Sequence, residues 1–337
     1  MEALASSLVA LFERALPAAA PVAVTDLQPV FGGNARRAWS FDLHRGTGDT
    51  IEIVPCVVLI HGSSRQIDTN IEREFRALRA LDGHQVRAPA ALAVDTDGAF
   101  LGAPGIVMSR MRGKADAVHF LKLPRAEGEA LTNDLAETVG GLHAVPCNPA
   151  MLGEIQVVDP PRAIAARQVQ HWRDTFVAQR LEPLPVMKWL FDWLVDELPE
   201  PTTLCLVHGD LRPGNFLYED ARVTALLDWE MAHIGDPVED LAWIFRPMWS
   251  PEHYVSQRKF LERYMHQTGR VVTWSHLLYY RVFSELKFAT ISLTAVRGFL
   301  ASSRPNLRHA DRAATVAPCL QRCLELLAAY REEVRGA

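Results

Sequence analysis

Leu206–Asp240 reads LVHGDLRPGNFLYEDARVTALLDWEMAHIGDPVED, a stretch that concentrates acids, an amide and cations at short fixed spacings. An apolar run enters His208-Gly209-Asp210, Arg212 and Pro213 follow, and Asn215 stands five positions after Asp210. Phe216-Leu217-Tyr218, a polar Glu219-Asp220 pair and an apolar run from Val223 to Leu227 then read as two short strands about a turn. The second strand ends at Asp228, with twelve residues between it and Asn215. Asp236, Pro237 and Glu239 stand as N-cap, first and third helical residues, the pattern of a capping box, so Asp236 reads as structural. Each of these residues is common in turns and caps, but packing alone does not produce all of them in this order.

His-x-Asp-x-x-x-x-Asn followed by a strand that delivers an Asp is the order of a phosphoryl-transfer loop. Such transfer needs a carboxylate to orient the attacking hydroxyl and accept its proton, and a divalent cation at the phosphates. Asp210 has the chemistry for the first task. Mg²⁺ prefers oxygen ligands and keeps several waters, so the carboxylate of Asp228 and the amide oxygen of Asn215 form a sufficient protein set. Arg212 offers a fixed positive charge to the transferring phosphate, and His208 braces the loop. Glu230 reads equally well as an auxiliary ligand and as an exposed turn acid.

The block HGDLRPGN … LLDWEMAHIGDPVEDLAW resembles the aminoglycoside phosphotransferase and choline kinase-like family, in particular its acyl-CoA dehydrogenase-associated branch. The resemblance is strongest over Val207–Trp243 and weaker over most of the chain. It implies an α+β, bilobal protein kinase-like fold, with a β-rich N-terminal lobe and a mostly helical C-terminal lobe. It also implies ATP or GTP with Mg²⁺, and a small-molecule hydroxyl as acceptor. By this resemblance Asp210 matches the catalytic base, Asn215 and Asp228 the metal ligands, and Met108, Ser109 and Arg110 the interlobe hinge where backbone groups bond adenine. The expected division is 1–108 for the nucleotide-binding lobe and 109–337 for the catalytic and acceptor-binding lobe.

Upstream of the block, the first third is strand-rich. Pro21 to Val30, AWSFDL and IEIVPCVVLI read as strands, and Gly32-Gly33 between the first two can let backbone N–H groups approach phosphates as a nucleotide lid. Ile71 to Leu81 is an amphipathic helix that Asp68, Thr69 or Asn70 can cap. Its stripe of Ile71, Glu74, Phe75, Leu78 and Leu81 turns Glu74 inward. A buried carboxylate needs a partner; in kinases that partner is a strand cation that also grips the nucleotide phosphates. The strand reads Val58-Leu59-Ile60-His61, so Ile60 occupies the position where the cation is expected, and Arg65, Arg36 or Arg37 are the available substitutes. ALAVDTDGAFLG reads as strand, Asp-Gly turn and strand, and GIVMSRM as a further strand.

From Asp116 onward the pattern is helical, with helices expected over Ala130–His143, Arg162–Val177, Val186–Leu198, Pro251–Gln267, Trp274–Ala301 and Asp311–Val334. Trp172, Trp243, Trp249, Tyr279, Tyr280 and Lys287 lie where an acceptor pocket would be walled, although most aromatics on helices are core. The later helices carry Arg258, Lys259, Arg263, Arg270, Arg281, Lys287, Arg297, Arg304 and Arg308, which argues against a polycationic acceptor and for a neutral or anionic one.

The 337 residues suffice for two lobes, and a net charge of −5 gives no basic excess for nucleic acid. No apolar stretch reaches the length of a membrane span. The opening residues, with Glu2, Glu13 and Arg14 around LVALF, form an amphipathic helix rather than a secretion signal. Five scattered cysteines, with Cys319 and Cys323 on one helix face, suggest packing and a reducing cytoplasm. The partners expected are a nucleotide and a hydroxyl acceptor; a homodimer stays open. Two alternatives follow from the same residues: a nucleotide-binding protein that has lost transfer, motivated by Ile60, and a metal-dependent hydrolase, disfavoured by the amide at position 215 and the sparse histidines.

Overall fold

The computed structural model describes residues 1–15, 22–30, 36–46, 51–62, 70–147, 152, 160–201, 203–302 and 306–336. Helix α1 (Glu2–Ala15) precedes an antiparallel sheet of β1 (Val22–Val30), β2 (Arg36–Arg45), β3 (Glu52–His61), β4 (Ala91–Asp95) and β5 (Gly105–Ser109), ordered β1-β2-β3-β5-β4. Helix α2 (Ile71–Arg79) enters between β3 and β4. Asn70 caps it by accepting the amides of Glu72 and Arg73.

The two faces of this sheet differ. Leu8, Leu11 and Phe12 of α1 pack on Phe41, Leu43, Cys56, Val58 and Ile60, whereas Val57 and Leu59 of β3 face the core that contains Ile71, Ala77 and Leu78 of α2. Alternation along β3 decides which residue sees which face. The second strand expected after the Asp-Gly turn does not form. Buried Asp95 instead accepts the amides of Gly98, Ala99, Phe100 and Leu101, which satisfies that backbone locally and removes the need for a ladder.

The remainder is helical: α3 (Ala117–Phe120), α4 (Arg125–His143), α5 (Pro161–Gln179) and α6 (Pro185–Asp196), then α7 (Val238–Ile244), α8 (Gln257–Thr268), α9 (Trp274–Ala301), α10 (Leu307–Ala310) and α11 (Val316–Gly336). Between α6 and α7 run four short strands, β6 (Cys205–Val207), β7 (Phe216–Glu219), β8 (Arg222–Leu226) and β9 (His233–Gly235). β6 pairs with β9 and β7 with β8, both antiparallel. One apolar core joins α2, β4 and β5 to the helical half, with Trp229 and Trp243 fully buried in it. This α+β, kinase-like arrangement joins the turn after β8 to the sheet through Arg36 of β2. No described helix is long and apolar enough to cross a membrane.

Candidate active site

The loop leaving β6 is built on Asp210. Its Oδ1 accepts Trp243 Nε1–H at 2.9 Å, its Oδ2 accepts Asn215 Nδ2–H at 2.6 Å, and Arg212 Nε–H reaches both oxygens at 3.2 Å. Asn215 also donates to the Asp210 carbonyl at 2.9 Å, closing the loop on itself. His208 is fully buried; Nε2 lies 2.8 Å from the Leu227 carbonyl, and Nδ1 accepts the Asp210 amide at 3.2 Å, an assignment that makes Nε2 the protonated nitrogen. Burial holds this imidazole below its ordinary range against the pull of Asp240 and Asp210, so it is neutral. Both ring nitrogens are spent on the backbone, so His208 is a brace between loop and strand, not a group that meets reactants. Arg212 is turned onto Asp210 and lies 5.9 Å from the Trp249 ring, rather than standing free above the loop.

Beneath the loop sits a buried network that takes in Glu239, expected in a capping box, and Lys287, expected in the wall of an acceptor pocket. Asp240 accepts the amides of His208 at 2.8 Å and Gly209 at 2.9 Å, and the imidazole of His143 lies at 3.2 Å. Despite full burial, which opposes ionisation, the bond and charge of His143 hold the Asp240 carboxyl down at about 2. Lys287 of α9 donates to the Gly209 carbonyl and to Glu239 Oε1 at 2.8 Å. Glu239 therefore does not turn back to complete the expected capping box; it binds Lys287 and His233, while Asp236 accepts the Val238 amide and pairs with His276. Gly209 itself has φ +81°, and a Cβ there would lie 2.5 Å from the Met231 carbonyl, so only glycine fits.

On the sheet side, Arg36 links β2 to α2 and to the turn after β8. Its Nη1 lies 2.8–2.9 Å from the Glu74 carboxylate, and its Nη2 lies 2.8 Å from Glu230 and 3.9 Å from Asp228. Burial opposes its charge, but the pairing with Glu74, helped by Asp228 and Glu230, raises its pKa nonetheless. Glu74 is buried, as the helical stripe predicts, and burial outweighs Arg36 in raising its own pKa. The absence of a cation at position 60 is resolved by the strand's alternation: Ile60 points into the core beneath α1, where a charged side chain would face away from Glu74. The cation comes from β2, where Arg36 stands opposite His61 in register and so projects from the same face of the sheet. Gly32, Gly33 and Arg65 lie outside the described residues.

At the expected hinge the sheet uses part of the backbone. The amides of Ser109 and Arg110 donate to Ala90 and Pro55 carbonyls at 2.9 and 2.8 Å, and Met108 lies inside the β3–β5–β4 ladder. Those two donors are committed to neighbouring strands, Ser109 as the last residue of β5 and Arg110 just beyond it. The Arg110 side chain pairs with Asp42 at 3.3 Å.

Asp228 begins the turn after β8 in the left-handed region, φ 64°, a conformation that Asp tolerates better than most residues. Its side chain keeps 37% of its surface open. Burial raises its pKa, Arg36 counteracts this, and Asp210 adds to it. Glu230 is pushed up to about 7 by burial and by Asp228. Carboxylates crowded in this way attract a cation. Asn215 spends its N–H₂ group on Asp210, leaving the amide oxygen available. A carboxylate and an amide oxygen are the donors a hard divalent ion takes, so these residues fit Mg²⁺.

The match of residues 44–277 to a family model described as "phosphotransferase enzyme family" covers most of the elements just described. Acyl-CoA dehydrogenase family member 10 of Mus musculus is 30% identical over 204 residues, which are 59% of this chain and 19% of that protein. The chain therefore spans about a fifth of that relative's length. Hygromycin-B 4-O-kinase of Escherichia coli is 30% identical over 245 residues, 68% of this chain and 63% of that enzyme. A crystal structure of a putative aminoglycoside phosphotransferase from Ralstonia eutropha superposes with a TM-score of 0.70 at 22% identity, covering 95% of this chain and 97% of that one. The matched span runs from the last two residues of β2 through the Asp210 loop to the first turn of α9, and the chain belongs to the phosphotransferase enzyme family.

Proposed function

We propose that the protein transfers the γ-phosphate of a nucleotide, ATP in the first instance, to a hydroxyl of a small molecule in the cytoplasm. The observation that carries this reading is the fork of Arg36 between Glu74 and the Asp228–Glu230 turn, together with the Asp210–Asn215 pair, whose Asp210 carboxylate is near enough to act on Asp228. In this reading residues 1–108 grip the nucleotide, with Gly32 and Gly33 as its lid and the hinge around Met108–Arg110 at its base, while 109–337 hold the acceptor. Arg36 binds phosphate oxygens from β2 in the role that other kinases give to a β3 lysine. Asn215 and Asp228 would hold Mg²⁺, which when bound neutralises phosphate charge. Asp210 orients the acceptor hydroxyl; as the new oxygen–phosphorus bond forms and the bond to the nucleotide diphosphate breaks, the hydroxyl proton passes to the Asp210 carboxylate. The donors on Asp210 from Trp243, Asn215 and Arg212 fix its direction, as suits a transition state that needs positioning above all. The alternative of a nucleotide-binding protein without transfer loses its motive, since Ile60 is replaced functionally by Arg36.

The test is Asp210→Ala. Mg²⁺-dependent nucleotide turnover is expected to fall by about 10²- to 10⁴-fold, with ATP still raising the melting temperature. Turnover like that of the wild type in this variant overturns the proposal.

A further inference from the structure

Next to Asp210 lies an aromatic cluster that the transfer reaction as described does not use. Trp243, whose indole N–H holds Asp210, packs against Trp249 (centroids 5.3 Å apart) and Phe288 (6.3 Å), and Trp249 against Phe288 (5.7 Å). Three guanidiniums from three different segments converge on these rings. Arg246, just past α7, lies 3.5 Å from the Phe288 centroid and 5.2 Å from that of Trp249; Arg312, between α10 and α11, lies 5.4 Å from Phe288; Arg212 of the catalytic loop lies 5.9 Å from Trp249. Ring faces favour each cation singly, but guanidiniums gathered this closely repel one another.

Carboxylates do not balance them. Asp210 takes Arg212, and the one buried acid beside Arg246, Glu285, is shared with Arg322. Among the described residues Arg312 has no acidic partner in an ion pair, and buried Arg246 has an Nε–H with no acceptor. Burial, with Arg212 and Arg246 as neighbours, pulls the Arg312 pKa down. Uncompensated cations at a partly buried site are costly, and an oxyanion is the group that removes the cost, since guanidinium forks match carboxylate and phosphate oxygens.

We infer that the acceptor carries an oxyanion, a carboxylate or a phosphate ester, on the same small molecule as its reactive hydroxyl, and that Arg312 and Arg246 seat this group over Phe288 while the hydroxyl meets Asp210. The inference rests on the phosphotransferase reading for the hydroxyl end alone. The anion end is set by the arginines, and a polycationic acceptor is repelled from it.

A binding experiment without turnover separates the two. Glycerol, glycerate, glycerol 3-phosphate and 3-amino-1,2-propanediol are titrated calorimetrically into the full chain and into Arg312→Gln and Arg312→Lys at low salt. Glycerate or glycerol 3-phosphate is expected to bind the wild type at least tenfold more tightly than glycerol, with the amine weakest; which of the two leads identifies carboxylate or phosphate. In Arg312→Gln the acid-over-glycerol ratio is expected to collapse to within about threefold, and Arg312→Lys to recover part of it. A wild type that binds glycerol or the amine as tightly as the acids, or an undiminished ratio in a folded Arg312→Gln, overturns the inference. Failure of the phosphotransfer reading appears instead as nucleotide turnover indifferent to Asp210→Ala.

Discussion

The Asp210 loop and the sheet rim at Arg36 are built on different principles. Around Asp210 every group has several partners: three donors on the carboxylate, Asp240 on the amides of His208 and Gly209, Lys287 on the Gly209 carbonyl. At the rim, among the described residues, Arg36 is the cation that pairs with Glu74, Glu230 and Asp228 together. The loop is thus positioned before any ligand arrives, as electrostatic preorganisation requires, and its geometry is part of the folded core. The rim joins the sheet to the Trp229–Met231 turn through one exchangeable contact. Damage to the loop should register as unfolding, and damage to the rim as lost affinity.

The largest expected effect breaks the loop from below. Lys287→Met leaves Glu239 buried with His233 as its remaining partner and strips the Gly209 carbonyl of its donor. Removing one partner of a buried pair costs about 3–5 kcal/mol, to be measured by urea unfolding. A loss below about 1 kcal/mol would mean that the loop is held by its surface bonds and not by the network beneath.

The same contrast explains what the sequence reveals. The loop is legible because its pattern is local: Asp210, Asn215 and Asp228 lie within nineteen positions, at the spacings that the proposed transfer needs. The rim is legible only in half. Glu74 shows through helical periodicity, but its partner lies 38 positions away in sequence and Glu230 lies 194 positions from Arg36. Choosing Arg36 over Ile60 needs the β2–β3 register and the side of β3 that α1 covers, neither of which a linear pattern contains. The residues under the loop are illegible for a related reason. Glu239 fits a capping box equally well, and only α9 packing alongside reveals that Lys287 claims it. β9 is three residues long, below what alternation can report, and Asp95 turns an apparent strand into a capped loop because one carboxylate outcompetes a ladder.

Arg36→Met tests the rim. Nucleotide affinity is expected to fall by about 10- to 100-fold, the worth of charged hydrogen bonds of roughly 1.5–3 kcal/mol, read by calorimetry with ATP. The fold should suffer less than in Lys287→Met, because the Glu74 carboxyl, already raised by burial, can take up a proton in place of its lost partner. Arg36→Lys keeps charge toward Glu74 but cannot fork to Glu230, and its affinity should lie between the two. Equal unfolding costs at positions 36 and 287 would erase the distinction between rim and loop.

Acid separates the two regions most finely. Asp240 is held at about 2 against an ordinary 3.8, so the folded state binds its proton more weakly than the unfolded chain does. Its contribution is complete above pH 3.8 and is lost as pH falls through about 2, on the order of 2 kcal/mol in all. Glu74 runs the other way: its folded pKa is raised, so acid does not remove stability there. Unfolding free energies of the wild type and Asp240→Asn, followed from pH 5 to pH 2, should therefore converge as the wild type loses what the variant never had, whereas Glu74→Gln should show no such convergence with the wild type. Parallel curves for Asp240→Asn would mean that the amides of His208 and Gly209 do not depend on a charged carboxylate, and that the loop is held by its backbone fold alone.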